Sequence, residues 1–433
     1  MRFLRRASDR SKVWRYGNLF RKRLHIKSDI GMTEEQETVT THAGPRRTIL
    51  LKLILIVVGI GIGLALCEIS MRAFQLGNTR TLSLYNDRIF KLPPHIRFMN
   101  YNENKNLIET NNLGFHDLER QASNDNYRIL FLGDSFLEGR QVKTESLFTS
   151  RLEKKLSSNG KKIEAINAGV PGTGTPYQYV LWKEFFEPNI KIDHVVVCFF
   201  MGNDLMDNNL DLVALTSGSS DSGFFVDNTG TILDVVAKPG LLKRTINYGR
   251  DHSVLINTLY EGAYRMRTNF QQTAEETGAG DSERRGRVDR AGAWEASEQG
   301  TIGLIRKWKA ELAGKNVPFD LVIIDRPGRV YNRFELRFME KLQATCAQEQ
   351  IDCLRLKLDG DPYEFYSFDG IALGHFNDKG HETVANELYE FFQSHHNAMV
   401  RRPLPSESSG KRVSLQNSAP YSPDRADTFH AKL

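Results

Sequence analysis

The first feature of this sequence able to do chemistry is a hydroxyl that ends an apolar run. In Arg128-Ile-Leu-Phe-Leu-Gly-Asp-Ser-Phe-Leu-Glu-Gly139, the residues Ile129 to Leu132 are apolar without alternation. That is the pattern of a strand buried on both faces of a parallel sheet, and it stops at Gly133-Asp134-Ser135. Ser135 therefore stands at the carboxyl end of a strand, where open α/β sheets bind their ligands. The segment after it, through Leu147, Leu152 and Leu156, reads as a loop and then an amphipathic helix. A helix start at this point turns free backbone N–H groups toward whatever the hydroxyl attacks. A serine so placed suits acyl transfer, in which a base takes its proton while attack builds negative charge on a carbonyl oxygen. By itself, Gly133-Asp134-Ser135 reads equally well as a strand-to-helix turn, since all three residues favour turns.

Two further strand ends and a late histidine change that balance. Ile166-Asn-Ala-Gly-Val-Pro-Gly-Thr-Gly174 closes a short strand with a glycine-rich loop, and Val195-Val-Val-Cys-Phe-Phe-Met-Gly-Asn-Asp204 closes another in Gly202-Asn203-Asp204. Gly374-His375-Phe376-Asn377 sets a histidine just ahead of a last helix. A serine, a glycine loop, an asparagine and a histidine in this order resemble the SGNH (GDSL-type) hydrolase family over roughly Asn111 to Phe392, and in particular its membrane-anchored members. The resemblance implies a serine esterase with Ser135 as nucleophile. It also implies Gly172 and Asn203 as oxyanion donors beside the Ser135 N–H. The residue types suit those roles, because a glycine lets its N–H approach substrate closely and an asparagine amide donates without burying a charge.

His375 is the candidate base. Its competitor His381 falls in the first turn of a helix that Val384, Leu388 and Phe391 trace from about Asp378, whereas His375 lies in the loop ahead of it. The sequence departs from the family at the third member, an aspartate two or three residues before the histidine. Ala372 and Leu373 occupy those places, so Asp369 is the nearest upstream carboxylate. Either Asp369 bends round to Nδ1 of His375, or the site runs as a Ser–His dyad oriented by a backbone carbonyl. His116, in Asn111-Asn-Leu-Gly-Phe-His-Asp117, replaces an arginine that the family often shows there and is expected to be structural.

Strands at Phe319 to Asp325 and Asp352 to Leu356 alternate with helices at Trp294 to Leu312 and Phe334 to Gln348. This repetition predicts an α/β fold, a three-layer doubly wound parallel sheet. The expected organisation is a basic cytoplasmic tail over 1–47, a transmembrane helix over 48–68, an irregular lead-in over 77–126, a hydrolase domain over 127–397 and a disordered tail over 398–433. An insertion over 207–300 is expected at the rim of the site, with a hairpin around Asn228-Thr-Gly230 and a mobile loop from Gln271 to Arg290.

Thr48 to Cys67 is apolar apart from Lys52 and long enough to cross a bilayer. It shows no polar face, and no small-x-small cleavage site precedes Cys67-Glu68. The 47 residues before it hold twelve Lys or Arg against five Asp or Glu, a surplus that exceeds the net charge of +5 for the whole chain. The basic pI thus belongs to the tail, which argues against nucleic acid as a partner and keeps the N-terminus cytoplasmic with the body outside. Gly59 and Gly63 read as packing tolerated by lipid. Four cysteines, Cys67, Cys198, Cys346 and Cys353, are too few for a disulfide-built fold. Cys346 and Cys353 could pair in an oxidising compartment, but separate buried thiols are the expectation. The sequence shows no metal-ligand cluster and no phosphate-cradling loop, so no cofactor is expected; oligomeric state is not legible. The expected activity is hydrolysis of an O-acyl ester on a small molecule or a cell-envelope glycan. An O-acyltransferase using the same serine and a non-catalytic glycan-binding protein are the alternatives.

Overall fold

The computed structural model describes residues 45–396 apart from 75, 78–82, 86–87, 101–102, 122–124, 158–161, 218–222, 237–239, 264–265, 267–289, 327–330 and 369–372. The expected tails and mobile loop therefore lie outside the described residues, save for 45–47 and Arg290, and so does Asp369. The apolar segment forms one helix, α1 (Pro45–Ala73), of which Ile49–Ala73 is long and apolar enough to span a membrane and is unburied throughout. From Ile62 onward, the chain forms one compact unit.

The body is built on five parallel strands: β1 (Tyr127–Gly133), β2 (Ile163–Gly169), β3 (His194–Phe200), β4 (Phe319–Ile324) and β5 (Asp352–Arg355), in the order β5-β4-β3-β1-β2. All five expected strands are present. Alternate residues feed two cores. Leu130, Leu132, Val195, Val197, Leu321 and Ile323 pack against helices α4 (Thr175–Leu181), α7 (Arg290–Ala313) and α8 (Arg333–Glu349). Ile129, Phe131, Val196, Cys198 and Val322 face α3 (Phe148–Leu156) and α9 (Asp378–His395) on the other side. This is the expected three-layer fold, and burial on both faces explains why the strands read as unbroken apolar runs. From β1 the chain goes to β2 on one side, then crosses back to β3 on the other. The carboxyl end of β1, where α2 (Ser135–Glu138) begins, is thus the topological switch point.

Three expectations need correction. The lead-in is not wholly irregular: Ser83–Tyr85 pairs with Ile89–Lys91, and Arg97–Asn100 pairs with Asn106–Glu109 in an antiparallel hairpin. Cys346 and Cys353 form a disulfide with Cα atoms 6.2 Å apart, because the end of α8 and the start of β5 meet there; Cys67 and Cys198 are free. The insertion does contain the expected hairpin, Gly223–Val226 with Ile232–Val235. However, among the described residues its next two helices, α5 (Leu241–His252) and α6 (residues 254–263), meet the end of α1 instead of the site.

Candidate active site

Ser135 opens α2 directly after β1, with Asp134 as N-cap accepting from the Phe136 N–H at 2.8 Å. The turn is tight because two glycines permit it. A side chain at Gly133 would press on Cys198 and Leu137 at 3.0 Å, and one at Gly169 would lie 2.3 Å from the Glu138 nitrogen. These contacts fix the serine between β1 and β2.

His375 comes from the strand Leu373–Phe376, held to Tyr366–Phe368 just before α9. Its Nε2 is 2.8 Å from Ser135 Oγ. Its Nδ1 lies 2.7 Å from Glu103 Oε1, and its backbone N–H donates to Glu103 Oε2 at 2.8 Å. The carboxylate that orients the histidine is therefore Glu103, some 272 positions upstream. Asp369 lies outside the described residues, and the Nδ1 position expected for it is filled.

Sequence reading missed Glu103 because its strand-pair origin gives no motif near the histidine. The signal that could have found it is the alternation Asn100, Asn102, Asn104, Asn106 around it. Asn100 donates to the Arg140 carbonyl at 3.2 Å and Asn104 to the Gln141 carbonyl at 3.0 Å, and Asn106 reaches the same loop after α2. The hairpin tip is thus pinned to the loop that follows the helix of Ser135. Glu103 itself sits at φ 61, a left-handed conformation costly for a non-glycine residue and typical of places where surrounding contacts override local preference. Gly374 makes the approach possible, since a Cβ there would fall 2.2 Å from the Glu103 carboxylate.

A cleft of about 280 Å³ opens over this chain of hydrogen bonds, lined by Glu103, Ser135, Phe136, Phe200, Asn203 and His375 among others. Phe136 stands 4.7 Å from the His375 ring and 4.0 Å from Phe200, ring centre to ring centre, and covers one side of the imidazole. Burial disfavours the imidazolium of His375, but the Glu103 hydrogen bond and charge outweigh it, with help from Asp134 and Glu138, and its pKa is raised above the ordinary histidine value. A base so tuned holds its proton well once it has taken it.

Asn203 lines the cleft and donates from Nδ2 to Asp207 at 2.7 Å, which commits one of its two amide N–H groups. Gly172 occupies an exposed turn after β2 at φ 68 with nothing within 4 Å of a would-be Cβ, and it is not among the residues that line the cleft. Three carboxylates stand close to one another near these strand ends: Asp134, Asp204, which accepts from the Phe200 N–H, and Asp207, which holds Asn203. Burial pushes Asp134 and Asp207 up to about 6, and burial with the charges of Asp134 and Asp207 raises Asp204 well above the usual aspartate value.

The other histidines are placed elsewhere. His381 is fully buried in the first turn of α9, accepts from the Phe148 N–H at 3.2 Å, and is pushed down to about 3 by burial and then by neighbouring His116 and Arg151. His116 is buried with Nδ1 2.9 Å from the Glu138 carbonyl and is pushed down to about 4, chiefly by burial. Both are neutral at physiological pH and structural in their surroundings.

The structure also brings together one set of metal-ligating types that wide sequence separation hid: His194, Asp320 and His396. Both imidazoles reach the same Asp320 oxygen at 2.8 Å through Nε2, the geometry of two hydrogen bonds to one acceptor. His194 Nδ1 is buried and has no partner among the described residues, whereas metal-bound histidines normally give that proton to an acceptor. We read the cluster as a hydrogen-bonded network.

No protein-family model matches the chain, and no curated protein matches it. Among solved structures it is similar to the esterase EstA from Pseudoalteromonas sp., with 12% identity over 63% of this chain and 100% of that one and a TM-score of 0.33. It is also similar to the lipase/acylhydrolase from Enterococcus faecalis, with 14% identity over 62% and 96% and a TM-score of 0.33. A third likeness is to the acetyl xylan esterase AlAXEase, with 13% identity over 61% and 98% and a TM-score of 0.33. At such low identity, the chemistry of the site is read from its own residues.

Proposed function

We propose that the protein is a membrane-anchored serine esterase of SGNH type, with its catalytic body outside the cell membrane, that removes short O-acyl groups, with cell-envelope glycans as the substrate class. The observation that carries the reading is the unbroken hydrogen-bond chain Ser135–His375–Glu103 at the switch point of the sheet. As Ser135 Oγ attacks an ester carbonyl, its proton passes to His375 Nε2. Glu103 holds the opposite N–H, fixes the tautomer and stabilises the imidazolium. His375 then returns the proton to the leaving alcohol, and water resolves the acyl-enzyme by the same steps in reverse. The remaining Asn203 N–H and the backbone N–H groups of Ser135 and Gly172 are the proposed oxyanion donors, with Gly172 needing to turn inward on substrate binding.

Glu103, standing where the missing aspartate would hold the histidine, favours catalysis over the non-catalytic reading. The small cleft favours a short acyl group, being at the low end of ligand-pocket volumes. The Cys346–Cys353 disulfide supports an oxidising compartment, and so the outward-facing body. Product analysis tests the activity: given an acetylated glycan, the protein should release free acetate in a Ser135-dependent manner. Transfer of the acyl group to a second sugar hydroxyl, with little free acid, would make it an acyltransferase, and no Ser135-dependent product of either kind would refute the reading. Topology is checked by protease added to sealed cells, which should remove the body and spare the N-terminal segment.

A further inference from the structure

Helix α5 carries a polar and an apolar face that the fold does not explain. At helical spacing, Leu241, Leu242 and Ile246 with Tyr248 fall on one side, while Lys243, Asn247, Arg250 and Asp251 fall on the other. No residue of α5 is buried, and Leu241 and Leu242 are 82% and 74% exposed. On α6, Leu259 is 64% exposed. Singly exposed apolar side chains are ordinary, but a stripe along α5, with Leu259 also exposed on the α6 helix that follows, marks a surface that something covers.

The position of the stripe says what that something is. The corner between α5 and α6 is fastened to the last turns of α1: the Glu68 carboxylate accepts from the Val254 and Leu255 N–H groups at 3.0 and 2.9 Å and from Ser253 Oγ at 2.9 Å. Arg72 donates to the His252 carbonyl and to Glu68, both at 2.7 Å. Gly77 then lies so close to α6 that a Cβ would fall 2.6 Å from Thr258 Oγ1. A carboxylate and a guanidinium at the end of an apolar span belong at the level where the span leaves hydrocarbon, and these two are bonded to the hairpin.

We propose that the α5–α6 hairpin is a second membrane contact, lying in the lipid interface beside the exit of α1 with Leu241, Leu242, Ile246 and Leu259 inserted among the acyl chains. The inference rests on the reading of α1 as a bilayer span. Amphipathic helices with tyrosines at their margins bind lipid interfaces in this manner. Continuity with the span favours lipid over a second copy of the chain.

The test uses the full chain in vesicles of phosphatidylcholine and phosphatidylglycerol, carrying an environment-sensitive fluorophore on single cysteines. Native Cys67, within α1, reports the span; in a Cys67→Ser background, Leu242→Cys, Ile246→Cys and Leu259→Cys report the hairpin, and Asn247→Cys reports its polar face. The proposal expects labels at 67, 242, 246 and 259 to be quenched by nitroxide lipids and shielded from aqueous iodide, with the label at 247 showing the reverse. A lipid-quenched label at 67 with iodide-quenched labels at 242, 246 and 259 would overturn the proposal and leave the anchor intact. Labels at 242, 246 and 259 shielded from both quenchers, with cross-links between copies, would replace lipid by a second chain. A water-exposed label at 67 would remove the anchor reading and this inference with it.

Discussion

Two clusters of histidine and carboxylate stand at opposite ends of the same sheet, and only one sets a hydroxyl beside its histidine under an open cleft. At the carboxyl ends of the strands, His375 joins Glu103 to a hydroxyl beneath an open cleft. At the amino ends, His194 and His396 share Asp320; His194 and Asp320 are almost wholly buried, with no nucleophile in the network. Burial acts against charge at both sites, and at both the paired charges win. His375 and His396 are raised, and Asp320 is lowered by its two histidines despite burial. Perturbed acidity alone therefore does not mark a catalytic centre. A proton acceptor becomes a catalyst when a group worth deprotonating and a path for substrate lie beside it. The second cluster instead ties the end of α9 to the sheet.

The comparison can be broken most sharply at the first cluster. Ser135→Ala or His375→Ala should each reduce turnover by about 10⁶-fold, the scale for removing either member of such a unit. Glu103→Gln should cost about 10⁴-fold, because the amide no longer enforces the tautomer or stabilises the imidazolium. The acid limb of kcat/KM in the native protein should lie above about pH 6.5, since the base must be neutral and its pKa is raised. In Glu103→Gln the limb should move to lower pH, as burial then acts with less opposition. Asp369→Asn should leave turnover within about tenfold of native, given that Glu103 already holds Nδ1.

A smaller effect is expected at the oxyanion. Asn203→Ala should lower kcat by about 10²-fold or more with little change in KM; near-native turnover would make Asn203 a structural partner of Asp207 alone. Substitution at the second cluster should leave turnover per folded molecule unchanged and show itself as lost stability. Asp320→Asn leaves the buried His194 and the part-buried His396 without their charge partner, at a cost of about 3 kcal/mol in chemical denaturation. Asp320 is lowered on folding, so its contribution is lost as pH falls through its folded pKa. His396 is raised, so its contribution is lost as pH rises through its own. The difference between variant and native should therefore be largest between about pH 4 and 6.5. His381→Ala should change turnover by less than about tenfold, since His381 touches Phe148 and not Ser135.

The sheet was legible in the sequence because parallel strands buried on both faces write themselves as apolar runs, and Ser135, Asn203 and His375 were legible because each follows such a run or precedes a strongly periodic helix. Glu103 was not. It lies at the tip of a two-stranded hairpin in a polar, proline-bearing stretch, and its role depends on a docking contact between Asn100, Asn104 and Asn106 and the loop after α2. Contacts of that kind leave no periodicity. The Cys346–Cys353 bond was hidden for a similar reason: a spacing of seven does not say whether a helix end and a strand start bring two thiols together.

The central claim is that Ser135 is activated through His375 by Glu103, and its most direct measure is the rate of covalent labelling by a fluorophosphonate. One label per chain should appear at Ser135, at a rate that rises with pH through the titration of His375. Labelling should vanish in Ser135→Ala and His375→Ala, and in Glu103→Gln it should slow greatly with its pH midpoint moved down. Labelling of the native chain at another residue, or an unchanged rate and midpoint in Glu103→Gln, would contradict the account.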